Sequence, residues 1–344
     1  MTLTITDLAV TLDRVSILKN LNLQVADGEY LALLGPSGSG KTTLLKSISG
    51  LIDQVQGAIQ IDQVNIKEWQ PDKRPVSVVF QDLRLFPHYN VYDNIAFALK
   101  LQKLPQKEID QRVASLLEDV QLPGYQKARV NQLSGGQQQR IAMARSLASD
   151  PKVLLLDEPF SGLDEPLRRE MGQLVYQLHQ EKGMMTILVT HDKREAVAYA
   201  DRIAFLQEGN LVQVADPQFI INHPRTHYLA NFFGKMNDLT GQVEKGYFRS
   251  GSLSIPCLNP QARIMMIRPN RIRLATSSDE AISGIQVEAQ IEAMVQFPEY
   301  SEVTLRLLAE NVVWTVNLTT LDPGLKLEDR VILSFQADDA SFVE

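Results

Sequence analysis

The sequence predicts an α/β fold on a parallel sheet, followed by a small all-β domain. Three observations carry that reading. Up to about residue 235, apolar runs of strand length alternate with helical periodicity, the pattern of parallel strands joined by crossovers. One run leads into Gly35-Pro36-Ser37-Gly38-Ser39-Gly40-Lys41-Thr42, which fits G-x-x-x-x-G-K-[ST]. Beyond about residue 235 the helical period stops, and short strand candidates follow one another between turn clusters.

The opening Met1-Thr2-Leu3-Thr4-Ile5-Thr6 alternates polar and apolar residues, so it reads as a strand and not as a signal peptide. Tyr30-Leu31-Ala32-Leu33-Leu34 reads as a buried strand, and the helix after the loop opens at Thr42. Glycines let the loop wrap a phosphate without Cβ clashes, and the helix N-terminus adds a positive field. In this pattern Lys41 is expected to reach the β- and γ-phosphates of a nucleotide, and the Thr42 hydroxyl to hold Mg²⁺. Residues Gly35 to Lys41, with Thr42 and Thr43, form the expected phosphate cradle.

Residues 82–133 read as mostly helical. One helix spans 91–101 with Ile95, Phe97, Ala98 and Leu101 in helical spacing, and a second spans 108–120 with Ile109, Val113, Leu116, Leu117 and Val120. Before them, Leu83-Arg84-Leu85-Phe86-Pro87-His88-Tyr89 is apolar and aromatic, either local core or a partner's docking surface. Leu133-Ser134-Gly135-Gly136-Gln137 is a Gly-rich turn that runs into a helix with Ser134 as its N-cap, a second anion site without a lysine of its own. Val153-Leu154-Leu155-Leu156 is a buried strand ending in Asp157 and Glu158. Asp157 is expected to hold Mg²⁺, and Glu158, pointing the other way by strand alternation, to accept a proton from attacking water. Thr186-Ile187-Leu188-Val189-Thr190 is another buried strand, ahead of a helix over 193–200.

With these segments in order, the chain resembles the ATP-binding cassette family over about residues 1–235, and Leu133 to Gln137 matches its LSGGQ signature. The resemblance implies ATP and Mg²⁺ as cofactors and a head-to-tail dimer with a second copy. In it, Ser134, Gly136 and Gln137 close over ATP on the partner's phosphate loop. It assigns Gln81 to sensing Mg²⁺ and the γ-phosphate, His191 as the switch histidine, and Asp164 to the loop that crosses the interface. It places Leu12, with Val15 close by, where the family commonly stacks an aromatic residue on adenine. Aliphatic surface there forgoes stacking worth about 0.5–1.5 kcal/mol.

The composition, 44% hydrophobic and 22% charged, is that of a globular protein. A net charge of −7 argues against nucleic acid as the main partner. The single cysteine, Cys257, excludes an internal disulfide framework and reads as a small core residue. No run approaches the roughly 18 apolar residues that cross a bilayer, so a membrane role goes through a partner. Each motif occurs once, which excludes two fused cassettes in this sequence.

Beyond residue 235, strand candidates fall at 239–243, 263–267, 272–275, 285–295, 303–308, 312–318 and 331–335, separated by turns such as Thr276-Ser277-Ser278-Asp279 and Asp322-Pro323-Gly324. They predict a small OB-like barrel. The segment Met266-Ile267-Arg268-Pro269-Asn270 is similar to the Arg-Pro-Glu segment of importer regulatory domains, with Asn270 in place of the acid. Arg263, Arg268, Arg271 and Arg273 read as a solvated strand face, with an anion site as the alternative. Asn231-Phe232-Phe233-Gly234 with Asn237 is similar to iron and polyamine members.

The domain reading is therefore a P-loop ATPase over 1–235, with a helical subdomain at 82–133, and a β-rich TOBE/OB-like regulatory domain over 236–344. The resemblance implies the ATPase of a solute importer, peripheral at the cytoplasmic face of the membrane. Two permease subunits and, indirectly, an extracytoplasmic solute-binding protein are the implied partners. A soluble cassette ATPase and a chiefly regulatory or solute-sensing module are the alternatives. The solute is not readable among iron, polyamine, sulfate, molybdate and phosphonate.

Overall fold

The computed structural model describes residues 1–275 and 283–344; the turn expected at Thr276-Ser277-Ser278-Asp279 lies outside the described residues. It divides into two compact units, Met1–Pro217 and Gln218–Glu344. The sequence pattern put the boundary at 235. The helices over residues 217–233 belong instead with the β-rich unit, because helical periodicity marks an element and not the body it joins.

The first unit opens with a hairpin of β1 (Thr2–Leu12) and β2 (Val15–Ala26), then β3 (Tyr30–Leu34), α1 (Lys41–Ser49), β4 (Val55–Ile61), β5 (Val64–Asn65) and β6 (Val76–Val79). Next come α2 (Val91–Leu101), α3 (Gln106–Asp119), α4 (Gly135–Leu147), β7 (Val153–Asp157), α5 (Glu165–Lys182), β8 (Met185–Val189), α6 (Lys193–Tyr199), β9 (Arg202–Gln207) and β10 (Asn210–Ala215). The central sheet has the order β10-β9-β3-β8-β7-β6, parallel except for β10. An antiparallel sheet, β2-β1-β4-β5, makes a second layer.

Every residue of β3, β7 and β8 is buried, as expected for parallel strands covered on both faces. Their alternation splits the core cleanly. Leu154, Leu156 and Leu188 join Ile95, Val113, Ile141 and Val175 from the helices on one face. Val153, Leu155, Ile187 and Val189 join Leu44 and Ile48 of α1, with Leu3, Ile5 and Ile59 of the antiparallel sheet, on the other. Helix α1 is thus held between two sheets, and the phosphate loop at its N-terminus inherits that rigidity.

Segment 82–133 is helical in α2, α3 and a short 3-10 turn at Val130–Gln132, with extended chain and turns between them. Between β6 and α2 the chain passes through two successive left-handed residues, Leu83 (φ 51°) and Arg84 (φ 48°). The Arg145 guanidinium fixes that strain by donating to both carbonyls, at 2.8 Å to Leu83 and 2.7 Å to Arg84. Leu83 and Leu85 pack on the core, while Pro87, His88 and Tyr89 are exposed. The segment is therefore core at its start and open surface at its end.

The second unit starts within α7 (Pro217–Asn222), after its first residue, and goes on to α8 (His227–Phe233). It continues with β11 (Asn237–Thr240), β12 (Gln242–Glu244), β13 (Tyr247–Ser250), β14 (Leu253–Pro256), β15 (Ile264–Ile267) and β16 (Arg273–Ala275). It ends with β17 (Ile285–Gln296), β18 (Ser301–Leu307), β19 (Val313–Leu318), β20 (Arg330–Phe335) and β21 (Ala340–Val343). These strands form three antiparallel sheets, β11-β15-β21, β12-β13-β14 and β16-β20-β17-β18-β19. The β13–β14 hairpin and β21 escaped the sequence reading, because Tyr247-Phe248-Arg249-Ser250 and the terminal Ala340-Ser341-Phe342-Val343 are too short to show a period. Asn237, buried, staples β11 to β19: its Oδ1 accepts from the Thr315 amide and its Nδ2 donates to the Thr315 carbonyl, both at 2.7 Å. Trp314 is buried in this core, with its indole N–H on the Asp238 carbonyl at 3.1 Å. Cys257 is buried and free, as expected.

Candidate nucleotide site

The carboxyl ends of four adjacent parallel strands carry the site. The phosphate loop follows β3, His191 follows β8, Asp157 ends β7 with Glu158 just after it, and Gln81 follows β6. Ligands of open parallel sheets collect at this edge.

The loop demands its glycines. Gly35 has φ 152°, and a Cβ there would lie 2.0 Å from the Leu206 carbonyl oxygen. Gly40 has φ 105°, and a Cβ would meet Leu18 Cδ2 at 2.7 Å. Helix α1 begins at Gly40 with no side-chain cap, so its first amides keep no partner from a neighbouring side chain. Ser39 Oγ is buried without a hydrogen-bond partner inside the loop. Lys41 is buried, and its Nζ donates to the Gly35 and Pro36 carbonyls, each at 2.9 Å. Burial lowers its pKa, opposed by the nearby Glu158 and Asp157 carboxylates. A concave, amide-lined turn with one cation at its centre fits a polyphosphate.

Thr42 Oγ1 donates to Asp157 Oδ1 at 3.1 Å. Burial raises the Asp157 pKa, and the Thr42 hydrogen bond lowers it in part. A hydroxyl and a carboxylate side by side are the hard oxygen donors that Mg²⁺ takes.

Glu158 corrects a detail of the sequence reading. It lies past the end of β7 and takes φ 47°, so a left-handed turn aims its carboxylate, not strand alternation. Its amide donates to the Val189 carbonyl at 3.0 Å, which fastens the turn to β8. Its Oε2 lies 3.5 Å from His191 Nδ1. Gln81 joins through a residue that drew no attention in the sequence: its Nε2 donates to Ser161 Oγ at 3.1 Å, and that hydroxyl donates to the Glu158 carbonyl at 3.1 Å.

Leu12 and Val15 face each other across the β1–β2 turn, where Asp13 and Arg14 both have positive φ. That is a tight two-residue hairpin, with Val15 58% exposed. A little further along β2, Ile17 and Leu18 border Gly40, so the hairpin tip rises beside the loop.

The signature turn lies elsewhere in the same unit. Ser134 caps α4: its Oγ accepts from the Gln137 amide at 3.3 Å, and Gln137 Oε1 accepts from the Ser134 amide at 3.0 Å. The amides of Gly135 and Gly136 keep no intrahelical acceptor. A Cβ on Gly136 would meet Leu167 at 2.9 Å, so this glycine lets α4 press on α5. Asp164 caps α5, its Oδ1 accepting from the Leu167 amide at 3.0 Å. Within one chain, the signature is not joined to the phosphate loop by any hydrogen bond among the described residues.

In the second unit, Arg268 and Arg271 line one cavity of about 250 Å³ with His223, Asp338 and Asp339, whereas Arg263 and Arg273 lie outside it. Arg263, Arg271 and Arg273 are exposed, in keeping with a solvated face, while Arg268 is half-buried and its Nη2 donates to the Ile221 carbonyl at 2.9 Å.

Comparisons with known proteins agree with this geometry. The family model described as ABC transporter matches residues 18–161. The spermidine/putrescine import ATP-binding protein PotA of Borrelia garinii is 37% identical over 328 residues, covering 94% of this chain and 92% of that protein. The chain belongs to the ABC transporter family. The PotA protein of Thermotoga maritima is 36% identical over 350 residues, covering 96% of this chain and 95% of its own. Two solved cassettes share the fold at 30% identity. One is a dimeric post-hydrolysis state of the ATP-binding cassette MJ0796 bound to ADP and Pi, with TM-score 0.57 over 62% of this chain and 98% of that one. The other is cbiO1 from Clostridium perfringens, part of the ABC transporter complex cbiONQ, with TM-score 0.59 over 63% of this chain and 89% of that one. This ABC cassette binds ATP and is an ATPase. Among the described residues no helix is long and apolar enough to cross a membrane.

Proposed function

We propose that this chain drives solute import: two copies, bound beneath two membrane permease subunits at the cytoplasmic face, close on ATP and reopen after hydrolysis. The observation that carries the mechanism is the convergence of Lys41, Thr42, Asp157, Glu158, Gln81 and His191 at the ends of four adjacent strands. Lys41 Nζ contacts the β- and γ-phosphate oxygens. Thr42 Oγ1 and Asp157 are the residues that would hold Mg²⁺, with Gln81 at its edge. Bound there, the ion would neutralise charge developing on the phosphate oxygens.

Glu158 takes a proton from water as the water oxygen bonds to the γ-phosphorus. The bond from that phosphorus to the β–γ bridging oxygen breaks, leaving ADP and inorganic phosphate. His191 holds the γ-phosphate in line. Ser134, Gly136 and Gln137 of a second copy complete the cradle, and Asp164 lies in the loop that crosses between copies. Leu12 and Val15 meet the adenine. Segment 83–89, half core and half open, is the docking surface for the permease. The unit Gln218–Glu344 reads best as an OB-like regulatory domain; β16 and β19, the edges of its five-stranded sheet, come within 8 Å of each other, as in a curling barrel.

The solute class is a polyamine delivered by an extracytoplasmic binding protein. Support comes from relatives named for spermidine/putrescine import at 36–39% identity over 88–96% of this chain. Reconstitution of the chain with its permease and binding protein in vesicles tests this. ATP-dependent uptake of labelled spermidine or putrescine is expected. Uptake of sulfate or ferric iron in its place would overturn the polyamine assignment.

A further inference from the structure

We propose that Arg168 is a positioning residue that ties the His191 loop to the Asp164 loop, so that the γ-phosphate contact and the inter-subunit contact move as one piece. This rests on the roles proposed above for His191 and Asp164, and it adds the part that joins them.

Arg168 sits in the first turn of α5, four residues after the Asp164 cap, with its side chain half-buried. Its guanidinium faces both loops. Nη2 donates to the Leu163 carbonyl at 2.9 Å, next to Asp164. Nη1 donates to Asp192 Oδ2 at 3.3 Å, next to His191. Nε is buried without a hydrogen-bond partner and lies 4.0 Å from Glu195 Oε1.

The histidine loop is anchored on its other side as well. Thr190 Oγ1 donates to buried Glu195 Oε2 at 2.6 Å and accepts from the Asp192 amide at 3.0 Å. His191 is therefore bracketed by two fixed neighbours while its own ring remains exposed. The enclosed space is small, a gap of about 10 Å³ lined by Glu158, Ser161, Arg168, His191, Asp192 and Glu195. Shifting one loop moves the other through the fork, because nothing compressible lies between them.

A planar fork is needed for this. Lysine has the charge but not two divergent donor edges, so it cannot hold Leu163 and Asp192 together. The geometry therefore separates fork from charge.

The test is steady-state ATPase kinetics of the full chain carrying Arg168→Met, Arg168→Lys or Asp192→Asn, with thermal midpoints measured alongside. Asp192→Asn keeps an oxygen to cap α6, where Asp192 Oδ1 accepts from the Arg194 amide at 2.8 Å, and removes only the charge. The expected result is a fall in kcat of about tenfold or more for Arg168→Met, with KM for ATP within about twofold. Arg168→Lys should regain less than half of that loss. Arg168→Met combined with Asp192→Asn should be no worse than Arg168→Met alone, since both cut one bridge. Near-normal kcat in Arg168→Met, full rescue by lysine, strict additivity of the pair, or a rise in KM matching the fall in kcat would each overturn the proposal. If Arg168→Met does not fold, Arg168→Lys and Asp192→Asn still decide it: wild-type kcat in both rejects the fork. Glu158→Gln run in parallel keeps the readings apart. Normal turnover in that variant breaks the proposed chemistry, whereas its inactivity beside an unimpaired Arg168→Met breaks only the coupling.

Discussion

Helices α1 and α4 begin in opposite ways. Helix α1 starts from a left-handed glycine, Gly40, without a side-chain cap, beside a buried lysine. Helix α4 starts from Ser134, and a reciprocal capping box with Gln137 satisfies two of its backbone amides from within the chain. The first end is built to receive a polyphosphate by itself. The second offers only the Gly135 and Gly136 amides and has no cation in its turn. Two anion-facing helix ends of such unequal strength suit a shared site: one grips the nucleotide in the monomer, and the other adds its contribution when a second copy delivers a phosphate.

That contrast can be broken at several points. The largest effect belongs to Glu158→Gln, which should cut hydrolysis by about 10²–10⁴ while ATP still binds, the usual weight of a general base. Turnover assays and nucleotide titration on the same preparation check both halves. A variant that hydrolyses normally would put the base elsewhere.

Next comes the split between the two helix ends. Lys41→Ala should weaken ATP binding by roughly tenfold to a hundredfold, since charge-assisted hydrogen bonds are worth about 1.5–3 kcal/mol. Ser134→Arg should leave monomer affinity within about twofold. Titration with a fluorescent ATP analogue compares them. Equal losses in the two variants would erase the asymmetry.

Asp157 sharpens the picture of the strong end. Burial raises its pKa, so above that raised pKa its ionisation costs stability in the nucleotide-free fold. Asp157→Asn should therefore raise the melting temperature at neutral pH. The gain should shrink as pH falls through the raised value and vanish near the ordinary carboxylate value of 3.8, where both forms are neutral. Melting curves from pH 4 to 8 follow it. A variant less stable than the parent at pH 7 would contradict the burial argument.

The smallest effect is at the weak end. Ser134→Ala removes one capping hydrogen bond and should cost about 1 kcal/mol in denaturant unfolding, with no change in monomer ATP affinity. A loss well above that would mean that Ser134 carries more of the fold than its cap.

The sequence made the phosphate loop, β3, α2 and the Asp157–Glu158 strand end readable, because glycine chemistry and apolar periodicity act locally. Gly35 and Gly40 announce themselves by spacing before any coordinates exist. What stayed hidden is non-local. Ser161 looks like an ordinary loop serine until it is seen bridging Gln81 to Glu158. Arg168 and Glu195 are helix residues whose roles arise from two loops meeting. The left-handed turn at Glu158 carries no glycine to betray it. In the second unit, short strands such as β13 lack the length for a period, and the helices over residues 217–233 gave no hint of which body they join.

The central claim is that the phosphate loop of one copy is closed by the signature turn of another. The mass of the Glu158→Gln chain in solution, measured by light scattering with and without Mg²⁺-ATP, tests it most directly. The account predicts a monomer near 38.6 kDa without nucleotide, a dimer of about twice that mass with it, and a monomer in both conditions once Ser134→Arg is added. A Glu158→Gln chain that stays monomeric with saturating ATP, or a Ser134→Arg double variant that dimerises as readily, would contradict it.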